Sequence, residues 1–144
     1  MSVTIEPARP DDLPAIASLL ERGHLPLAGV AEHLGTAVVA REGNRIAGCA
    51  AVELYGEAAL LRSVAVDHAF RGLGLGIRLT EAALTTARTR GVHAVYLLTE
   101  TAVGFFPRFG FRPIPRTEVS PAVRRSVEFT TACPESAQAM MAEL

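Results

Sequence analysis

Arg71-Gly72-Leu73-Gly74-Leu75-Gly76 joins an apolar, strand-like run, Ala58 to Val66, to a helix-like run from Ile77 to Arg90. Glycine lets a backbone curl close to a ligand, and a helix start aims unpaired amides and the positive end of its dipole at negative charge. Three glycines and an arginine at such a junction therefore read as an anion cradle. Each helix-end charge interaction is worth roughly 0.3–1 kcal/mol, so several converging amides can hold a pyrophosphate without a lysine, and no lysine stands in this stretch. Spacing removes two other glycine loops. A dinucleotide fingerprint counted from Gly72 or Gly74 puts its third glycine on Ile77 or Leu79, and a Walker loop needs Lys-Ser/Thr where Ile77-Arg78 stands. A flexible turn before an ordinary helix is the plain alternative.

Upstream, Thr36 to Arg41 and Ile46 to Leu54 read as strands separated by the turn residues Glu42 to Arg45, and Ala59 to Val66 as a third. Three strands with short connections predict an antiparallel meander. Downstream, Ile77, Thr80, Ala83, Leu84 and Ala87 share one helical face, and His93 to Leu98 is a strand rich in Val, Tyr and Leu. Strand, helix, strand predicts a parallel crossover, and meander plus crossover predicts a mixed α/β sheet flanked by helices. The glycine loop then sits at the C-terminal end of its strand, where such sheets bind ligands.

At the ends, Val3 to Glu6 predicts a short strand and Asp11 to Gly23 an amphipathic helix, followed by a loop from His24 to Gly29 and a helical turn from Val30 to Leu34. Thr101 to Phe109 predicts a helix interrupted by Pro107, with a strand after Gly110. Val127 to Phe129 predicts a last strand, which we expect to offer a pairing edge to a homodimer, and Glu135 to Leu144 a terminal helix.

The 144 residues, 49% hydrophobic and 20% charged, suit one globular domain over 1–144. A net charge of −1 with interspersed signs gives no basic face for nucleic acid or anionic lipid. No apolar run is long enough for a membrane span and the N-terminus has no secretory pattern, so a cytoplasmic location is expected. Cys49 and Cys133 form no C-x-x-C and read as buried free thiols, and His24, His33, His68 and His93 show no ligand spacing, so no metal is expected.

Taken with its context, the Arg-x-x-Gly-x-Gly of residues 71–76 resembles the acyl-coenzyme A pyrophosphate loop of the Gcn5-related N-acetyltransferase (GNAT) family. The likeness spans nearly the whole chain and is tightest from Leu60 to Arg112. It implies a GNAT-like sheet, mostly antiparallel with a splayed parallel pair at its centre, and acetyl-CoA as cosubstrate. On that resemblance Val64, Ala65 and Val66 offer backbone to the pantetheine arm, and Arg71, Gly72, Leu73, Gly74, Leu75 and Gly76 surround the pyrophosphate. Phe105 to Phe111 is similar to the family's late Tyr-x-x-x-Gly-Phe motif, with Phe106 at the tyrosine position. Tyrosine there often protonates the leaving thiolate; phenylalanine has no proton to give, so Phe106 is expected to pack against the cofactor arm.

Acetyl transfer needs an amine freed of its proton, hence a base. Glu100, at the end of the strand expected to splay from Val64 to Val66, and Glu53 on the preceding strand are the catalytic candidates, each also readable as a solvated or paired carboxylate. Arg62 either anchors a substrate carboxylate by a bidentate pair or snorkels to the sheet edge. The loop with Leu25 and Pro26 is expected to border the acceptor pocket. Asp67-His68 is no catalytic pair, because neighbours on an extended chain face opposite ways.

At finer grain, Leu98 to Ala102, Gly104 to Phe106 and Cys133 to Ala137 resemble the arsenic-resistance N-acetyltransferase branch and amino-acid N-acetyltransferases such as N-acetylglutamate synthase. These likenesses imply a small amino-acid-like acceptor, and the Arg71 to Gly76 cradle joined to the Val64 to Val66 strand leads us to expect direct transfer to its primary amine in one ternary complex. Acetylation of protein N-termini or lysines, and a coenzyme A sensor without turnover, stand as the alternatives.

Overall fold

The computed structural model describes residues 2–144. Seven strands, β1 (Thr4–Pro7), β2 (Ala37–Glu42), β3 (Arg45–Tyr55), β4 (Ala58–Val66), β5 (Ala94–Thr99), β6 (Arg112–Ile114) and β7 (Gln138–Glu143), form one sheet in the order β1-β2-β3-β4-β5-β7-β6. Two α-helices, α1 (Leu13–Arg22) and α2 (Leu75–Thr89), flank it. The meander β2-β3-β4 is antiparallel, and β4 and β5, joined through α2, are the parallel pair. The fold is the mixed α/β GNAT arrangement expected from the sequence.

Period-two alternation sorts residues between the two faces. On β2, Val38 and Ala40 join the core beneath α2 with Leu79, Ala83 and Ala87, while Val39 joins Ile16, Leu19 and Leu20 of α1. The helices therefore cover opposite faces. A third cluster lies under the long connection from β6 to β7, where Val119 and Val123 pack on Leu60 and Tyr96.

Three expectations are corrected at the C-terminal end. Glu135 to Leu144 holds no helix: residues 138–143 form β7, paired antiparallel with both β5 and β6. Its composition favours helix, but Met140 and Ala142 face the α2 core while Ala139 and Met141 face the other cluster, an alternation that tertiary burial imposes. Val127 to Phe129 is not a strand either; a π-helical turn, Glu128–Ala132, occupies it, which removes the edge expected to pair across a dimer. Thr101 to Phe109 keeps only a 3-10 turn at Phe106–Phe109, with Pro107 in its first turn. Before that turn, Thr99 Oγ1 accepts from the Ala102 amide. The helical turn expected over Val30 to Leu34 is a series of turns ending in a 3-10 segment, Leu34–Thr36. Cys49 is buried and free, and Cys133 is free but only partly buried.

Candidate active site

Strands β4 and β5 pair only from Ala58↔Ala94 to Leu60↔Tyr96. On the opposite edge of β4, pairing to β3 runs Ala51↔Arg62 and then Cys49↔Ala65, so two residues of β4, Ser63 and Val64, face the single Ala50. An extra residue bends a strand, and Ser63 takes it up with φ 60. Beyond Leu60 the two strands part, and a cleft of about 740 Å3 opens between them. Val64, Ala65 and Val66 line it on one side, Leu97 to Ala102 on the other, and Leu25 and Pro26 of the loop after α1 close one end.

At the C-terminal end of β4 the Asp67 side chain accepts from the Ala69 amide at 2.9 Å and starts a short 3-10 turn, His68–Phe70. The glycine loop follows. Gly74 sits at the N-cap of α2 with φ 76, a left-handed conformation that costs an L-residue with a side chain roughly 1–2 kcal/mol. From Gly72 through Ile77 no backbone amide donates to a protein carbonyl; the ladder resumes only with Arg78 N to Gly74 O at 3.1 Å. Six consecutive amides, together with the positive end of the α2 dipole, thus remain available to an anion. Arg71 lines the cleft itself. The Leu75 side chain is buried in the core below α2, so that residue offers only its amide, and the Leu73 side chain is exposed.

Phe106 stands at the cleft wall, 7% exposed, edge-on to Phe105 and Phe111 at centroid distances of 5.1 and 5.8 Å. Glu100 lies exposed at the end of β5, on the cleft rim. Glu53 is fully buried and outside the cleft lining, with the Tyr55 hydroxyl donating to Oε1 and Arg62 Nη1 to Oε2 at 2.7 Å. Burial opposes its ionisation, yet hydrogen bonds from Ser126, Tyr55 and Arg62, with His33 nearby, hold its carboxyl below the ordinary range. That carboxylate is committed to its arginine.

Arg62 carries no exposed side-chain surface. Besides Glu53 it donates through Nη2 to the Pro26 carbonyl at 3.2 Å and through Nε to Ser63 Oγ at 3.0 Å, with Glu128 Oε2 3.2 Å from the same Nε. Neither snorkelling nor a free bidentate anchor describes it: Arg62 lines the cleft, and its guanidinium knits β3, β4, the loop at Pro26 and the β6–β7 connection together there.

Sequence reasoning missed the β6–β7 connection as a wall of the site. Glu128, Ala132, Cys133, Pro134 and Ala137 all line the cleft. Glu128 is 4% exposed, and burial pushes its carboxyl up to about 7 although Arg62 opposes the rise. No local signal pointed to it: in the strand expected over Val127 to Phe129, alternation puts Glu128 on the face opposite the two apolar residues, where a carboxylate is ordinary. Arg22, at the end of α1, also lines the cleft and lies 3.6 Å from Asp67. Among the described residues no group of three or more His, Cys, Asp or Glu is placed to hold a metal ion, and no helix is long and apolar enough to cross a membrane.

Comparison with known proteins bears on the same stretch. The family model described as an acetyltransferase (GNAT) domain matches residues 33–113. An uncharacterized N-acetyltransferase of Chlorobaculum tepidum is 35% identical over 88 residues, 60% of this chain and 56% of that protein. An amino-acid acetyltransferase of Mycobacterium tuberculosis is 32% identical over 127 residues, 81% of this chain and 72% of that protein. Among solved structures, the Rv2747 protein of Mycobacterium tuberculosis in complex with CoA and NLQ superposes with a TM-score of 0.82 at 27% identity, covering 98% of this chain and 99% of that one. N-acetylglutamate synthase of Neisseria gonorrhoeae, complexed with coenzyme A and N-acetyl-glutamate, gives a TM-score of 0.84 at 21% identity; it shares the fold over all of this chain but only 35% of its own. This chain therefore spans little more than half of the Chlorobaculum relative and about a third of the Neisseria chain. With the domain match, the relatives and the parted strands in agreement, the chain belongs to the GNAT acetyltransferase family.

Proposed function

We propose that this chain transfers the acetyl group of acetyl-CoA to the primary amine of a small, amino-acid-like molecule, with both substrates held at once in the cleft between β4 and β5. The observation that carries the reading is the run of six free amides from Gly72 to Ile77, placed directly after a strand whose end has parted from its neighbour. The fit to coenzyme A is good on three counts. The amides and the α2 N-terminus suit a pyrophosphate, the parted end of β4 gives a pantetheine arm a backbone to pair with, and the cleft lies within the few hundred to a thousand Å3 typical of small-molecule sites.

Bound acetyl-CoA supplies an activated thioester carbonyl. The chain's own contribution is grip and orientation: Arg71 and the loop amides fix the phosphates, Val64 to Val66 align the arm, and Phe106 packs beside it. Phe106 gives no proton, so the sulfur departs as a thiolate, which an ordinary thiol pKa of about 8.5 makes tolerable near neutral pH. Glu100 stands exposed on the rim, in contact with water.

Two observations favour a small acceptor. The relative from Mycobacterium tuberculosis that covers most of this chain is an amino-acid acetyltransferase. A peptide tail calls for an open acidic groove, whereas two of the three carboxylates lining this cleft, Asp67 and Glu128, are engaged by arginines. The likeness of the 98–106 and 133–137 segments to the arsenic-resistance branch widens the acceptors to be tried to amino-acid-like antimetabolites. Thiol release from acetyl-CoA, measured with the twenty standard amino acids, such antimetabolites and amine-bearing peptides, tests the reading. We expect release with one or more amino-acid-like acceptors; release with peptides alone, or with none, contradicts it.

A further inference from the structure

We propose that Glu128 is the catalytic base, taking a proton from the acceptor's ammonium inside the cleft, an inference that rests on the acetyl-transfer reading above. The carboxylates lining the cleft are Asp67, Glu100 and Glu128. Asp67 is spent on the Ala69 amide, on Arg45 at 3.3 Å and on Arg22 at 3.6 Å. Glu100 is exposed, where water competes for any proton. Glu128 is enclosed like Asp67 and lines the cleft, but it has one arginine partner where Asp67 has two and a backbone amide.

Its position is built rather than incidental. The Ser126 hydroxyl accepts from the Glu128 amide at 3.2 Å and starts the π-helical turn that carries the side chain inward. Arg62 faces it from β4, sharing the same Nε with Ser63 Oγ; Glu53 stands on the other side of that guanidinium on β3, and Cys133 approaches it from the end of its own turn, with Arg116 beyond. One guanidinium therefore serves two carboxylates. Glu53 takes the shorter contact, 2.7 Å against 3.2 Å, and has Tyr55 as a further donor. Glu128 is left with a partial counter-charge in a dry setting, and burial pushes it up to about 7, near the value at which a base is both available and strong enough at neutral pH.

The step balances as follows. Glu128 takes one proton from the ammonium and frees the nitrogen lone pair. The C–N bond forms as the C–S bond of the thioester breaks. The sulfur departs as a thiolate and then takes up the second nitrogen proton, and Glu128 returns its own proton to water.

The test uses the full chain, acetyl-CoA and the most active amino acid from the acceptor screen. In E128Q we expect kcat to fall by about 100-fold or more at pH 7, with KM for acetyl-CoA within about threefold of wild type. Its rate should rise about tenfold per pH unit toward the amine's own pKa, whereas wild type levels off above neutrality. E128D, which keeps a carboxylate, should recover part of the rate. A variant that keeps both wild-type kcat and the wild-type profile overturns the role of Glu128 while leaving the acetyl-transfer reading intact; wild type that releases thiol with no amine overturns both. Should E128Q fail to bind coenzyme A, carboxyl 13C NMR of wild type decides: a Glu128 signal titrating near neutrality supports the role, and one titrating below about pH 5 overturns it.

Discussion

Gly76 faces Phe105 across the first turn of α2: a Cβ built on Gly76 would lie 3.4 Å from Phe105 Cζ and 3.8 Å from Val66 Cγ2. Gly76 thus lets the Phe105 ring pack against the helix start, and Arg108 in turn lies 4.7 Å above that ring.

A single methyl just fits this gap, and two more do not. We expect Gly76→Ala to bind coenzyme A within about threefold of wild type, since alanine also favours the helix by up to about 1 kcal/mol. Gly76→Val should weaken binding about tenfold or more, because overpacking by extra methyls costs about 1–3 kcal/mol and here displaces the turn that presents the amides. Isothermal titration of both variants checks this; equal affinities for Ala and Val contradict the packing.

Gly74 presents a different constraint. No atom lies within 4 Å of a Cβ built there, but its φ is 76. Gly74→Ala meets no clash, so any loss comes from backbone strain of roughly 1–2 kcal/mol. We expect coenzyme A affinity to fall about 5- to 30-fold with the core intact, read by titration alongside thermal unfolding. An unchanged affinity would show that the left-handed cap does not hold the amides in place.

Among the described residues Arg62 is the one arginine paired with both Glu53 and Glu128, which are both buried, while His33 Nε2 stands 3.6 Å from Glu53 alone. Removing one partner of a buried ion pair typically costs about 3–5 kcal/mol. Arg62→Ala should therefore lower Tm by about 10 °C or more in calorimetry. Arg62→Ala/Glu53→Gln, which removes the most closely paired carboxylate as well, should recover part of that loss. A double variant no more stable than the single one contradicts the pairing.

Stability should carry the mark of Glu128 with a definite sign. Its folded carboxyl titrates at about 7 against an ordinary 4.5, so between those values the folded chain holds more protons at this site than the unfolded one. Stability from this group is full below 4.5 and declines as pH rises toward 7, by about 3 kcal/mol in total. Glu53, Asp12 and Asp67 shift the other way and favour folding as pH rises, so the comparison must be with E128Q, which keeps them. Relative to E128Q, wild type should lose Tm from pH 5 to pH 8. A constant difference contradicts the raised carboxyl.

The N-terminal two thirds of the fold were legible because local signals and burial agree there. Leu13, Ile16, Leu19 and Leu20 repeat at helical spacing, Val38 to Ala40 alternate between two cores, and the glycines of residues 72–76 punctuate the passage from β4 to α2. In the last third they disagree. Gln138 to Glu143 has helix-forming residues but is drawn into the sheet between β5 and β6, and Val127 to Phe129 has strand-forming residues but is turned by Ser126. The candidate anion cradle is one contiguous loop and so visible in sequence. The cluster of Arg62, Glu53 and Glu128 was not, because it meets only through long-range packing, and nothing near Glu128 in sequence names its partner 66 positions away.

The central claim is that the amides of Gly72 to Ile77 grip a pyrophosphate. A crystal structure with coenzyme A tests it most directly. We expect phosphate oxygens about 3 Å from at least three of those six nitrogens. Phosphates held by arginine side chains alone, with the amides turned to solvent or to protein carbonyls, would contradict it.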